Sequence, residues 1–202
     1  MMKLYSFSQN LTNTLYLFKT PIKEDFDEIR ISSSSYYSLY LNNEIMGFGP
    51  VRSSYNALNI NAHKIKGNAR SLKIKIIDYG IPSFDLDNPK LVFAFELYKD
   101  NKKVLSTLEF NAYIDNSYIS ESNKYSFQRG FIERFDLTNT NKSKIKIVES
   151  NKIANNLVFM NKDLLEVRPS KMYYGSFIAF KNVLERSYLA KYNDRFNVDQ
   201  IS

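Results

Sequence analysis

The chain has 202 residues, with 28 Lys and Arg against 21 Asp and Glu, giving a net charge of +7. With 44% hydrophobic and 15% aromatic residues it can bury a core, which excludes a disordered polyelectrolyte. It has no cysteine, which excludes disulfides and thiolate metal sites. No run approaches the roughly 20 apolar residues of a membrane span, and Met1 to Asn10 lacks the apolar stretch of a secretory leader. The expectation is a cytoplasmic protein with no membrane partner.

Leu15 to Ile22 reads as the first strand, closed around Pro21 and the acidic turn Glu24 to Glu28. Ile29 and Ile31 begin the next, which runs into Ser32 to Ser35. Tyr36 to Leu41 alternates, with Leu39 and Leu41 on one face, because strand side chains repeat every two residues. Asn42-Asn43 suits a two-residue hairpin turn, since Asn tolerates positive φ. Gly47 and Gly49 then give backbone freedom, and Pro50 fixes the exit. Arg52 to Ala69 reads mostly as loop, with His63, the only histidine, exposed within it. From Leu72 to Ile77 the alternation turns Leu72, Ile74 and Ile76 inward and Lys73 and Lys75 to water.

A proline-bearing loop, Ile81 to Pro89, leads to the clearest alternation in the chain, at Leu91, Phe93, Phe95 and Leu97. Asp100 to Lys103 is its turn and Val104 to Leu108 the return. Phe110, Ala112 and Ile114 alternate again, and Ile145 and Ile147 mark one more short strand. Beyond residue 150 the pattern changes. Asn161 to Leu165 opens a short helix stopped by Pro169, Tyr173 to Lys181 reads as a strand, and Leu184, Tyr188 and Tyr192 have helical spacing within 183–196. Short strands separated by Asn, Asp and Gly turns, with no amphipathic helix before residue 150, predict an all-β fold. The expected layout is an antiparallel β-sandwich over residues 1–150 and a mixed, partly helical extension over residues 151–202.

Catalytic signatures are scarce. There is no Gly-x-Ser-x-Gly elbow, phosphate loop or spaced histidine pair. Asp85 with Asp87, and Asp25 and Asp27 with Glu28, are spaced for glycoside hydrolysis or calcium ligation. Turn-forming, solvated acids are the preferred reading, and no cofactor is assigned. Lys64, Lys66, Lys73, Lys75, Lys142, Lys144 and Lys146 fall at alternate strand positions or in turns. This favours a solvated strand face over a nucleic-acid patch.

The hairpin region resembles the amino-terminal β-sandwich domain of bacterial α-L-rhamnosidases, a glycoside hydrolase family. The residues that carry the likeness are Tyr37, Leu39, Tyr40, Asn42, Gly47, Gly49, Pro50, Arg52, Ser53, Gly67, Asn68, Tyr79 and Gly80, with an echo from Gly130 to Asp136. It extends to about Leu137. Asn43 stands where that pattern has glycine and Asp78 where it has histidine. The resemblance implies a jelly-roll-type, galactose-binding-like sandwich that packs beside a downstream catalytic domain and helps present carbohydrate. It also places the hydrolytic carboxylates in a separate, larger domain that 202 residues cannot contain, so no catalytic residue is carried over and the chain alone is expected to be no enzyme.

From the two loops that resemble the family, the candidate sugar-binding groups are Arg52, Tyr55, Tyr79, Gln128, Arg129 and Glu133. Aromatic rings pack on sugar C–H faces, and Arg, Gln and Glu bond hydroxyls. Arg52 is expected to pair with Glu133, and failing that with Asp136. A stand-alone lectin-like module ranks second among functional readings and a basic nucleic-acid-binding β-protein third.

Overall fold

The computed structural model describes residues 1–9, 11–22, 24–51, 57–65, 70–81, 90–124 and 131–160. The chain divides after Met160, so the helix and strand expected between residues 161 and 202 lie outside the described residues. So do Asp85 and Asp87.

The strands are β1 (Met2–Phe7), β2 (Thr14–Pro21), β3 (Glu28–Ser33), β4 (Tyr36–Leu41), β5 (Glu44–Gly49), β6 (Asn59–Lys64), β7 (Ser71–Asp78), β8 (Phe93–Lys99), β9 (Lys102–Ser106), β10 (Asn111–Asp115), β11 (Lys142–Ile145), β12 (Ile147–Ala154) and β13 (Asn156–Met160). The one helical element among the described residues is a 3₁₀ turn, Thr107–Glu109. No helix among the described residues is long and apolar enough to cross a membrane.

Two sheets form a β-sandwich. The seven-stranded sheet has the order β12-β1-β8-β3-β6-β13, with β9 also pairing β8. It is antiparallel except for β13, which runs parallel to β6. The six-stranded sheet has the order β11-β10-β2-β7-β4-β5 and is antiparallel throughout. Alternation decides which side chains meet between the sheets. Tyr16, Phe18, Tyr37, Leu39, Leu72, Ile74 and Ile76 from one sheet pack with Ile29, Ile31, Phe93, Phe95 and Leu97 from the other. Their centre is aromatic: Phe93 lies 4.8 Å from Phe18 and 5.0 Å from Phe7, ring centre to ring centre.

The turn chemistry follows expectation. Asn42 and Asn43 have φ of 51° and 68°, and Asp100 and Asn101 have 48° and 63°. These are the positive values that two-residue hairpins demand and that Asn and Asp accept at low cost.

Three expectations are corrected. The segment from 59 to 64, read as loop, is strand β6, and His63 is buried on it, 5% exposed. The short strand at Ile145 and Ile147 is two strands that part at Lys146, with β11 joining the six-stranded sheet and β12 the other. Lys73 and Lys75 point away from the core but are half-buried.

Candidate functional site

Two polar constellations stand out against this apolar frame. The first lies between the sheets. Tyr37 on β4 and His63 on β6 share a 2.8 Å hydrogen bond, Oη to Nε2, across the sandwich. Burial holds the imidazole neutral, its pKa pushed down to about 4, and raises the Tyr37 phenol well above its ordinary value. Beside them Asn61 Nδ2 donates to the Ile31 carbonyl at 3.1 Å, and its Oδ1 accepts the Val51 N–H at 3.1 Å. This cluster anchors the glycine hairpin to the opposite sheet.

The two glycines are required there by proximity. A Cβ on Gly47 would come within 2.6 Å of His63 Nδ1, and one on Gly49 within 2.6 Å of the Tyr37 ring. Gly47→Ala should therefore destabilise the fold by about 1–3 kcal/mol, the usual range for overpacking, because the ring it meets is held by Tyr37. The urea midpoint reads this; a midpoint equal to the wild type would show that the rings give way freely. The cluster is closed and satisfied, and we assign it a structural role.

The second constellation lies on the outer face of the six-stranded sheet. Because Phe18, Ile74, Ile76, Leu39 and Ala112 face the core, the alternate positions Leu17, Lys19, Lys73, Lys75, Ser38, Tyr40 and Tyr113 face outward. The register sets Lys19 across from Lys73, and Lys73 across from Tyr40. Lys73 Nζ sits 4.7 Å and Lys75 Nζ 6.0 Å from the centre of the Tyr40 ring. On the far side, β11 brings Lys144 across from Tyr113 and Lys142 across from Asp115. Lys142 Nζ stands 3.8 Å from Asp115 Oδ1.

One end of this face is roofed by residues 116–124 and 131–136. Asn13, at φ 47°, ties the roof down: its Nδ2 donates to the Ser120 carbonyl at 2.6 Å, and its Oδ1 accepts the Tyr118 hydroxyl at 2.6 Å. Further along, the Ile119 N–H donates to the Arg134 carbonyl and the Asp136 N–H to the Ser117 carbonyl. Between 131 and 136 exposure alternates. Phe131, Glu133 and Phe135 are partly covered, while Ile132, Arg134 and Asp136 are exposed. Phe135 packs edge-on against Tyr118 at 5.3 Å, over Leu15 and Ile77.

Glu133 is thus an acid in an apolar series, and its Oε2 is buried without a hydrogen-bond partner. Burial raises its pKa to about 7, opposed by the charge of Lys75. Burial likewise lowers the Lys75 ammonium, against the pull of Asp115. Ionisable groups that burial shifts toward neutrality within one cluster make this face the candidate functional site.

Of the predicted sugar-binding groups, the structure describes two. Glu133 joins the outer-face cluster. Tyr79 stands at the end of β7, its ring 6.1 Å from both Tyr36 and Phe131. Arg52, Tyr55, Gln128 and Arg129 lie outside the described residues, as therefore does the pairing expected between Arg52 and Glu133. Sequence reasoning read Lys73 and Lys75 as solvated strand positions and passed over Lys19 and Asp115. The signal was present in the Lys73/Lys75 alternation, but only the strand register shows that Lys19 faces it. No group of three His, Asp or Glu side chains able to hold a metal ion occurs among the described residues.

No protein-family model and no curated protein matches the sequence. Solved structures do match by fold. The GH78 family rhamnosidase of Bacillus sp. GL1 superposes with a TM-score of 0.64 at 16% identity, over 78% of this chain and 19% of that one. The α-L-rhamnosidase of Aspergillus terreus superposes with a TM-score of 0.51 at 13% identity, over 77% of this chain and 22% of that one. The chain thus spans about a fifth of each enzyme's length. The likeness expected from the hairpin motif is met at the level of fold: this chain shares a β-sandwich that forms one part of each of these two α-L-rhamnosidases.

Proposed function

We propose that the chain is a carbohydrate-associated, non-catalytic β-sandwich domain of the accessory kind that accompanies a catalytic domain in α-L-rhamnosidase-like glycoside hydrolases. The observation that carries this reading is the superposition on a minor part of two such enzymes over more than three quarters of this chain. The outer-face cluster of Glu133, Asp115 and the lysines supports it, because carboxyls accept hydrogen bonds from sugar hydroxyls and amines donate to ring and hydroxyl oxygens. A catalytic partner would lie in another domain or chain.

Two measurements test the reading. On a glycan array the purified chain should retain at least one saccharide class, and retention of none would overturn it. Incubated with an aryl α-L-rhamnoside, the chain should release no more phenol than buffer does. Turnover that survives repurification and disappears in Glu133→Gln would make the domain itself catalytic.

A further inference from the structure

No acid among the described residues pairs with Lys19, Lys73 or Lys75 on the outer face of the six-stranded sheet. Directly opposed like charges weaken an antiparallel pair, yet Lys19 and Lys73 are directly opposed, and Lys75 follows two residues on along the same face. Lys99 and Lys102 are opposed in the same way at the β8–β9 hairpin, but both are exposed and lie at the end of the ladder. Lys73 and Lys75 instead lie on the middle of a sheet, half-buried over Tyr40. Water screens them less, so their mutual repulsion is stronger.

Repulsion from Lys75 and Lys19 adds to burial in lowering the Lys73 pKa. The acids nearby do not neutralise the group. Asp115 pairs with Lys142, and Glu133 is itself raised toward neutrality. Among the described residues, Lys19, Lys73, Lys75 and Lys144 make no ion pair. An electrostatic cost kept in the middle of a sheet is relieved when an anion settles on it.

Resting on the carbohydrate reading above, we propose that this face, at Lys19, Lys73 and Lys75, binds an acidic saccharide. Its carboxylate or sulfate groups meet the amines, and its hydroxyls donate to the partly covered Glu133 carboxyl. The mixture of groups selects this ligand class. Amines alone would suit any polyanion. An ionised Glu133 repels every anion alike, but as a carboxylate it accepts hydrogen bonds from hydroxyl donors. The backbone of duplex DNA offers it no hydroxyl donor, whereas a uronate or sulfated sugar carries anion and hydroxyls on one ring.

The test is affinity electrophoresis of the full chain through gels containing polygalacturonate, dextran sulfate, neutral dextran or a DNA duplex. Either acidic polysaccharide should retard the wild type, neutral dextran should not, and the duplex should do so more weakly. Lys19→Glu/Lys73→Glu should weaken retardation at least about tenfold, since reversal replaces attraction by repulsion. Lys19→Ser/Lys73→Ser should weaken it less, and serves alone if the reversed variant does not fold. Lys99→Glu/Lys102→Glu makes the same charge change on the other sheet and should leave retardation near the wild type.

Equal loss in the control pair would reduce the effect to net charge and overturn the proposal. So would retardation by DNA that matches or exceeds that by the polysaccharides and falls in the same variants, which would make the face a nucleic-acid surface. Binding to neutral glycans alone would end the acidic-ligand inference and leave the carbohydrate reading standing. Binding to no saccharide of either kind would end both.

Discussion

Phe93→Ala should lower the stability of the sandwich by about 3–5 kcal/mol, the range for removing a large buried aromatic from a core that collapses only partly. Phe93 is fully buried, and its ring contacts Phe7, Phe18 and Phe95 at centre-to-centre distances of 5.0, 4.8 and 5.4 Å. Those neighbours come from β1, β2 and β8, so the lost ring is shared by both sheets. Small shifts of one strand cannot refill the space. The measurement is urea unfolding followed by tyrosine fluorescence, with the midpoint falling and the slope unchanged. Phe93→Leu keeps most of the volume and should cost clearly less. A loss under about 1 kcal/mol for the alanine variant, typical of surface sites, would place Phe93 outside the common core.

Asp78→Asn should do the opposite and stabilise the protein near neutral pH. Asp78 ends β7 at 3% exposure; its Oδ1 accepts the Gly80 N–H at 3.3 Å, while its Oδ2 is buried with the Ser35 hydroxyl nearby, which donates at 2.8 Å to the Ile77 carbonyl instead. Burial raises its pKa from 3.8 to about 6. The folded state therefore holds this proton more tightly than the unfolded chain does. The favourable contribution is complete below the unfolded value and is lost as pH rises through the folded one. Above that window the buried charge costs on the order of 3 kcal/mol, at 1.36 kcal/mol for each unit of pKa.

His63 works against it over nearly the same window. Its pKa falls from 6.5 to about 4, so its contribution is present above the unfolded value and lost on acidification. The two largely cancel in the wild type. The amide variant removes one side of that balance: it should gain about 1–3 kcal/mol at pH 7, fading toward zero near pH 4. Stability measured at several pH values for both proteins reads the difference. A gap that does not change with pH, or a variant weaker at pH 7, would show that Asp78 is ionised and satisfied in the folded state.

The strands that were legible from sequence are those whose inward positions are apolar. Leu72, Ile74 and Ile76 and the series Leu91 to Leu97 show their period directly, and Asn42-Asn43 and Asp100-Asn101 show their turns. β6 was hidden because its inward positions are Asn61 and His63. At that end of the sandwich the core is held by hydrogen bonds between polar side chains, and a pattern of hydrophobicity does not register them. The glycines of the hairpin were legible as special, but for a reason that needs three dimensions. They admit the rings of Tyr37 and His63, which come from different strands. Glu133 was singled out through resemblance and turned out to occupy an inward position of a short alternating roof. Its neighbour Lys75 showed only as half of an alternating lysine pair, and both it and Asp115 look like ordinary solvated residues until the register of β2, β7 and β10 is known.

The parting of β11 and β12 at Lys146 has a consequence for how the molecule is made. β12 supplies the partner for β1, pairing Met2 with Ala154, and β11 supplies the outer partner for β10. One late stretch of chain thus completes an edge on each sheet. Contacts of such long sequence separation delay folding, because loop closure comes before their reward. On the ribosome, β1 waits for almost the whole unit to emerge before its second neighbour exists. A nascent chain that had emerged only as far as Asn141 would carry bare edges at β1 and β10 together, each a template for strands of another polypeptide.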